Sequence, residues 1–162
     1  VDSNEGVYFV PAFVGLGAPH WQPDATGSIT GLTRGSDKNH IVRAALESTA
    51  YQVKDVVDAM EAGRSRSIQS IRADGGQSDN PFVMQFQADM LDRPVEVARV
   101  TETTALGAAF LAGRGVGLWK SDAEIESMWK ASAIYEPSMR ESERNSLYSG
   151  WLEALRRTLP RI

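Results

Sequence analysis

Short runs of β-branched and aromatic residues alternate with longer segments of helical periodicity, and this alternation constrains the fold of the chain most. Strands are predicted at 7–13, 27–32, 68–73 and 93–97. Helices are predicted at 40–62, 82–91, 103–114, 122–128 and 142–157. Alternating strands and helices are typical of an α/β domain, although the pattern leaves the order of strand pairing open.

The composition excludes several classes of function. The 162 residues include no cysteine, which removes disulfides, a thiol nucleophile and cysteine-ligated metal centres. The formal charge of −4, without any Lys- or Arg-rich block, disfavours nucleic-acid binding. The sequence has no apolar run long enough for a membrane span and no secretory signal. We therefore expect a cytoplasmic protein.

The strongest candidate for a ligand site is the turn Asp74-Gly75-Gly76, between a predicted strand and the helix at 82–91. Glycines let a ligand approach the backbone closely, and a helix N-terminus offers free N–H groups that suit phosphate. The alternatives are that the glycines serve an ordinary turn and that Asn80 only caps the helix, with Pro81 at its first position.

The remaining polar residues give no catalytic signature. Glu47, Asp55 and Asp58 lie on the predicted helix at 40–62, where we expect most of them on its solvated face. His20 and His40 are expected to be structural, and neither has a metal-ligand spacing. The sequence has neither a Walker P-loop nor a G-x-S-x-G elbow, so α/β-hydrolase chemistry is disfavoured and any phosphate site must be of another type. We predict no catalytic and no metal-binding residue in this chain. For the small residues of the helix at 103–114, tight core packing is favoured over a ligand or domain interface.

Five blocks in order carry a resemblance over nearly the whole chain. They are FVPAFVGLGAPHW (9–21), GSITGLTRGSDKNHIVRAALE (27–47), ADGGQSDNPFVMQFQADML (73–91), TTALGAAFLAG (103–113) and ERNSLYSGW (143–151). Together they resemble the C-terminal part of the FGGY carbohydrate kinase family. The segments GLGAPHW and MQFQADML are most similar to its glycerol kinase branch, although His20 replaces a usual Tyr.

The resemblance implies an actin-like ATPase fold, related to ribonuclease H, with two lobes around a cleft. Residues 1–162 would be the C-terminal nucleotide-binding domain, and the start at Val1 directly before a strand also suggests a piece of a longer chain. The family's nucleotide contacts match Gly76 and Asn80, with Gly75 adjacent. The implied cofactors are ATP or ADP with Mg²⁺, the metal being held largely through the nucleotide and the other lobe.

The implied activity is ATP-dependent phosphorylation of glycerol to glycerol 3-phosphate by the full-length parent. The family's catalytic aspartate, glycerol-binding residues and phosphate loop all precede the matched region, so we expect the isolated chain to be inactive. Its partners would be the nucleotide and, through the N-terminal lobe, glycerol; the family also allows a homo-oligomer. The alternatives are another FGGY sugar or polyol kinase and a non-catalytic nucleotide-binding module.

Overall fold

Two small sheets organise the structure, a computed structural model that describes residues 1–63 and 67–159. In those ranges the strands are β1 (Tyr8–Val10), β2 (Ser28–Thr30), β3 (Ile71–Ala73), β4 (Val95–Ala98) and β5 (Ala131–Tyr135). The α-helices are α1 (Lys38–Glu61), α2 (Pro81–Leu91), α3 (Thr103–Gly115), α4 (Asp122–Glu126) and α5 (Glu141–Thr158). None of the described helices is long and apolar enough to cross a membrane.

The sheet pairing explains the α/β pattern. Strands β1 and β2 form an antiparallel pair, while the second sheet has the order β3-β4-β5. Strands β3 and β4 are parallel, with Ile71 opposite Val95, because α2 connects them as a crossover. Strand β5, which the sequence did not predict, pairs antiparallel with β4. The α/β prediction is confirmed.

The core consists of two clusters that share the α1–α2 layer. In the first, Tyr51 of α1 stacks on Trp151 of α5, with ring centroids 5.3 Å apart, and meets Phe86 of α2 edge-on. In the second, Val83 and Met84 of α2 pack against Val95 and other inward residues of the sheet. Helix α2 therefore contributes to both clusters, which fixes the turn that precedes it.

The N-terminal cap of α1 places its start at Lys38, two residues before the predicted start at 40. Asp37 precedes α1 and accepts hydrogen bonds from the backbone N–H groups of Asn39 and His40 at 2.8 and 3.2 Å. In return, the Asp37 backbone N–H donates to His40 Nδ1 at 3.1 Å, so His40 has the structural role expected of it. After α1, Gly63 adopts a φ of +83°, as expected of a glycine that ends a helix.

Three predicted strands are longer than the observed ones. Strand β1 ends at Val10 because Pro11 has no N–H to continue the ladder, and β2 ends before Gly31, where φ is +79°. Strand β3 begins at Ile71 instead of at 68. Side chains satisfy the backbone of Ile68: its N–H donates to Glu61 at 2.6 Å, and its carbonyl accepts from Arg93 at 2.8 Å.

Helices α3 and α5 also differ from the predictions. Helix α3 continues through Gly113 to Gly115, one residue beyond its predicted end, and Gly113 permits close packing because a Cβ there would overlap the ring of Trp119. The alanines of α3 are exposed, Gly107 is half-buried and only Gly113 of this helix is buried, so the expected tight core packing is wrong for this chain. In α5, Leu155 is buried, whereas Leu152 is 44% exposed.

Candidate functional site

The glycine turn after β3 leaves open space outside the backbone. Gly75 has a φ of +86°, which L side chains rarely adopt, so the backbone itself requires glycine there. Gly76 has no positive φ, and a Cβ at either position would have no neighbour within 4 Å. The conformation of the chain therefore accounts for Gly75 alone, and Gly76 fits a surface that a ligand approaches closely.

Ser78 holds the turn in place, and the sequence analysis missed it. One turn of 3₁₀-helix runs from Gly76 to Asp79. The buried Ser78 hydroxyl donates to the Gly75 carbonyl at 2.6 Å, and the Ser78 N–H donates to the same oxygen at 3.0 Å. Serine often makes such local backbone bonds, but nothing in the spacing marked this one.

Asn80 caps α2, as one alternative proposed. Its Oδ1 accepts from the Phe82 N–H at 3.0 Å, and Pro81 takes the first helical position. The Asn80 side chain is half-buried, and its Nδ2 donates to no atom in the described part of the chain. The amide therefore keeps two donors for a ligand while its oxygen is used by the helix.

Helix α3 lies beside the glycine turn. The Thr103 hydroxyl, at the start of α3, donates to the carboxylate of Asp74, which directly precedes Gly75. Thr103, Gly107 and Phe110 line one side of a groove of about 1260 Å³, whose other side includes Arg72 and Trp129. The groove thus runs between α3 and the solvent-facing side of the β3–β5 sheet.

Two carboxylates that were expected in solvent are buried, so that prediction is wrong for Glu47 and Asp55. Glu47 is 1% exposed and accepts from Asn4 at 2.8 Å and from Arg43 at 2.6 Å. Burial raises the pKa of Glu47, although both of these hydrogen bonds oppose the shift. Asn4 lies near the start of the chain, whereas Arg43 and Glu47 lie on α1. Glu47 therefore anchors the N-terminal segment to α1.

Asp55 likewise joins α1 to two other segments, the loop that contains His20 and helix α5. Its carboxylate accepts from His20 Nε2 at 3.1 Å, from the Tyr148 hydroxyl at 2.6 Å and from the buried Trp151 Nε1 at 3.0 Å. His20 is therefore structural, as expected. Asp58 is exposed, as predicted. In residues 1–63 and 67–159, no group of three or more His, Asp or Glu side chains is arranged to hold a metal.

A model of the C-terminal domain of the FGGY family of carbohydrate kinases matches residues 1–116. The chain belongs to this family. It is 55% identical over 156 residues to the glycerol kinase of Bacillus subtilis (strain 168), covering 96% of this chain and 32% of that protein. It is 56% identical over 159 residues to glycerol kinase 2 of Thermotoga maritima, covering 98% and 32%. The chain spans about a third of the length of the curated relatives it matches.

Solved structures of FGGY kinases share the fold. The crystal structure of Plasmodium falciparum glycerol kinase with ADP covers all of this chain and 32% of that one, with a TM-score of 0.87 and 38% identity. Gluconate kinase from Lactobacillus acidophilus covers 93% and 31%, with a TM-score of 0.81 and 28% identity. The chain therefore has the fold of the C-terminal lobe of FGGY kinases, part of an actin-like, ribonuclease H-like ATPase fold.

Proposed function

We propose that residues 1–162 are the nucleotide-binding C-terminal part of an ATP-dependent glycerol kinase, which converts glycerol to glycerol 3-phosphate. The observation that carries this proposal is the 55–56% identity to two curated glycerol kinases over almost the whole chain. Gluconate kinase, in contrast, is 28% identical. The Plasmodium glycerol kinase was crystallised with ADP, which supports a nucleotide as the ligand.

Within this chain, Gly75, Gly76 and Asn80 are proposed to hold the nucleotide. The open space outside Gly76 lets a base or sugar approach the backbone, and the free Asn80 amide donors suit acceptor atoms of the nucleotide. Mg²⁺ would be held mainly by the phosphates and by residues beyond this chain, where it neutralises charge during phosphoryl transfer. We assign no catalytic residue to this chain and expect it to be inactive alone.

The activity is tested on the full-length kinase that contains this chain. We expect ADP to form from ATP when glycerol is added, and much more slowly with xylulose or gluconate. Preference for either sugar substrate over glycerol would favour the alternative, a different FGGY kinase. ATP binding without turnover of any polyol or sugar would favour a non-catalytic nucleotide-binding module.

The proposed nucleotide site is tested by Gly76→Ala. Because a Cβ at Gly76 meets no protein atom within 4 Å, the substitution should change the free energy of unfolding by less than about 0.5 kcal/mol. The KM for ATP should rise at least ~10-fold, since the methyl group would occupy space assigned to the ligand. An unchanged KM for ATP would remove Gly76 from the site.

Cytoplasmic location and homo-oligomer formation stay predictions.

A further inference from the structure

The glycine turn and α3, which come from separate parts of the chain, form two adjoining walls where Thr103 meets Asp74. Thr103 and Gly107 lie four residues apart, so they share one face of α3, and both line the groove between α3 and the sheet. A Cβ on Gly107 would meet no atom within 4 Å, as at Gly76. Each wall therefore carries a glycine that leaves space open.

One side-chain contact ties these walls together. The Thr103 hydroxyl donates to Asp74, the residue before Gly75, so the bond connects the first turn of α3 to the glycine turn. Helix α3 has no other side-chain cap: Glu102 at its N-cap makes no capping bond, and its first turn contains no acidic residue. The Asp74 carboxylate thus supplies the negative charge that favours a helix N-terminus.

We infer that Asp74 and Thr103 are positioning residues that fix the start of α3 against the glycine turn and so hold the turn in the conformation that binds the nucleotide. The inference rests on the proposed function and adds two residues to it. Neither side chain is assigned a role in the chemical step. Their loss should therefore weaken nucleotide binding and leave turnover and glycerol binding unchanged.

The test compares Thr103→Val, which keeps the shape but removes the donor, with Thr103→Ser, which keeps the hydroxyl. In the full-length kinase, Thr103→Val should raise the KM for ATP and the dissociation constant of ADP by ~3- to 10-fold, the effect of losing one ordinary hydrogen bond at an exposed position. The kcat and the KM for glycerol should stay within about twofold, and Thr103→Ser should restore wild-type values. Thr104→Val is the matched control, because Thr104 is exposed and makes no side-chain hydrogen bond in the described ranges.

A double-mutant cycle supplies the second measurement. Asp74→Ala should weaken ADP binding about as much as Thr103→Val, and the double variant should be at most about twofold weaker than either single variant. The inference would be overturned if the double variant weakened ADP binding by the product of the two single effects, or if Thr103→Val bound nucleotide as well as Thr104→Val does. In either case an active wild-type kinase would still support the proposed function. A wild-type kinase that binds no nucleotide would remove the proposed function and this inference with it.

Discussion

Asn80 serves two assigned roles through different atoms, and replacing it with aspartate separates them. Its Oδ1 caps α2, while its Nδ2 is proposed to face the nucleotide. Asn80→Asp keeps an oxygen for the Phe82 N–H, and α2 has no acid in its first turn. The new charge should therefore raise the free energy of unfolding by about 0.3–1 kcal/mol through the helix dipole. Asn80→Ala removes the cap and should lower it by about 1 kcal/mol.

The two variants should behave differently in stability and alike in nucleotide binding. Because this chain spans about a third of the length of its curated relatives, about 1 kcal/mol corresponds to ~1 °C in the Tm of the full-length kinase, and only Asn80→Ala should melt earlier. Both variants lose the amide donors, and aspartate adds a charge that repels an anionic ligand. The KM for ATP should therefore rise ~10-fold in Asn80→Ala and more in Asn80→Asp, while kcat falls little.

The assays are thermal unfolding and ATP-dependent kinetics of the full-length kinase. Asn145→Asp is the control, since it makes the same change of charge at an exposed position of α5. If Asn80→Asp left the KM for ATP at the control value, Asn80 would only cap α2 and would leave the proposed site. If Asn80→Asp melted as early as Asn80→Ala, the cap assigned to its oxygen would be wrong.

Three further predictions concern the scaffold. Asp55→Ala should lower the free energy of unfolding, measured in urea, by about 3 kcal/mol, because the buried indole N–H of Trp151 loses its acceptor. Asp55→Asn should lower it by about 1 kcal/mol, and the exposed control Asp58→Asn by less than about 0.5 kcal/mol. Leu155→Ala should lower the free energy of unfolding by about 2–4 kcal/mol, and the exposed Leu152→Ala by less than about 1 kcal/mol. Urea unfolding of the two variants beside the wild type measures this difference. In the folded chain, hydrogen bonds from the Arg93 guanidinium and the Ile68 backbone N–H lower the pKa of Glu61 below its ordinary value of 4.5. The ionised Glu61 therefore stabilises the fold above pH 4.5, and this stabilisation disappears as the pH falls through the lower folded pKa. Glu61→Gln should thus lose less stability than wild type between about pH 5 and pH 3, measured by urea midpoints; equal losses would contradict this reading.

Local signals allowed much of the fold to be predicted from sequence. Asn80 and Pro81 lie directly at the helix that they start, so the sequence alone indicated where α2 begins, whereas α1 begins at Lys38, two residues before its predicted start. The glycine turn was found for the same reason. Strand β5 was missed because its five residues, Ala131–Tyr135, depend on pairing with β4, which is more than thirty positions away along the sequence.

The burial of Glu47 and Asp55 could not be predicted, because their partners are distant in sequence. Glu47 accepts from Asn4, and Asp55 from Trp151, at separations of 43 and 96 residues. Helical periodicity assigns a charged residue to a face, but it does not show whether a donor from another element covers that face. Charged residues inside a protein are paired or hydrogen-bonded, and these two carboxylates follow that rule.

The two adjacent glycines of the candidate site show how structure refines a motif. Sequence alone assigns Gly75 and Gly76 the same two explanations, a turn or a ligand. The structure separates them, because the positive φ of Gly75 accounts for that residue without any ligand. Gly76 has neither a positive φ nor a neighbour that a side chain would strike. A requirement for glycine at that position must therefore come from something that the chain contacts, and this makes Gly76, more than Gly75, the residue on which the proposed nucleotide site depends.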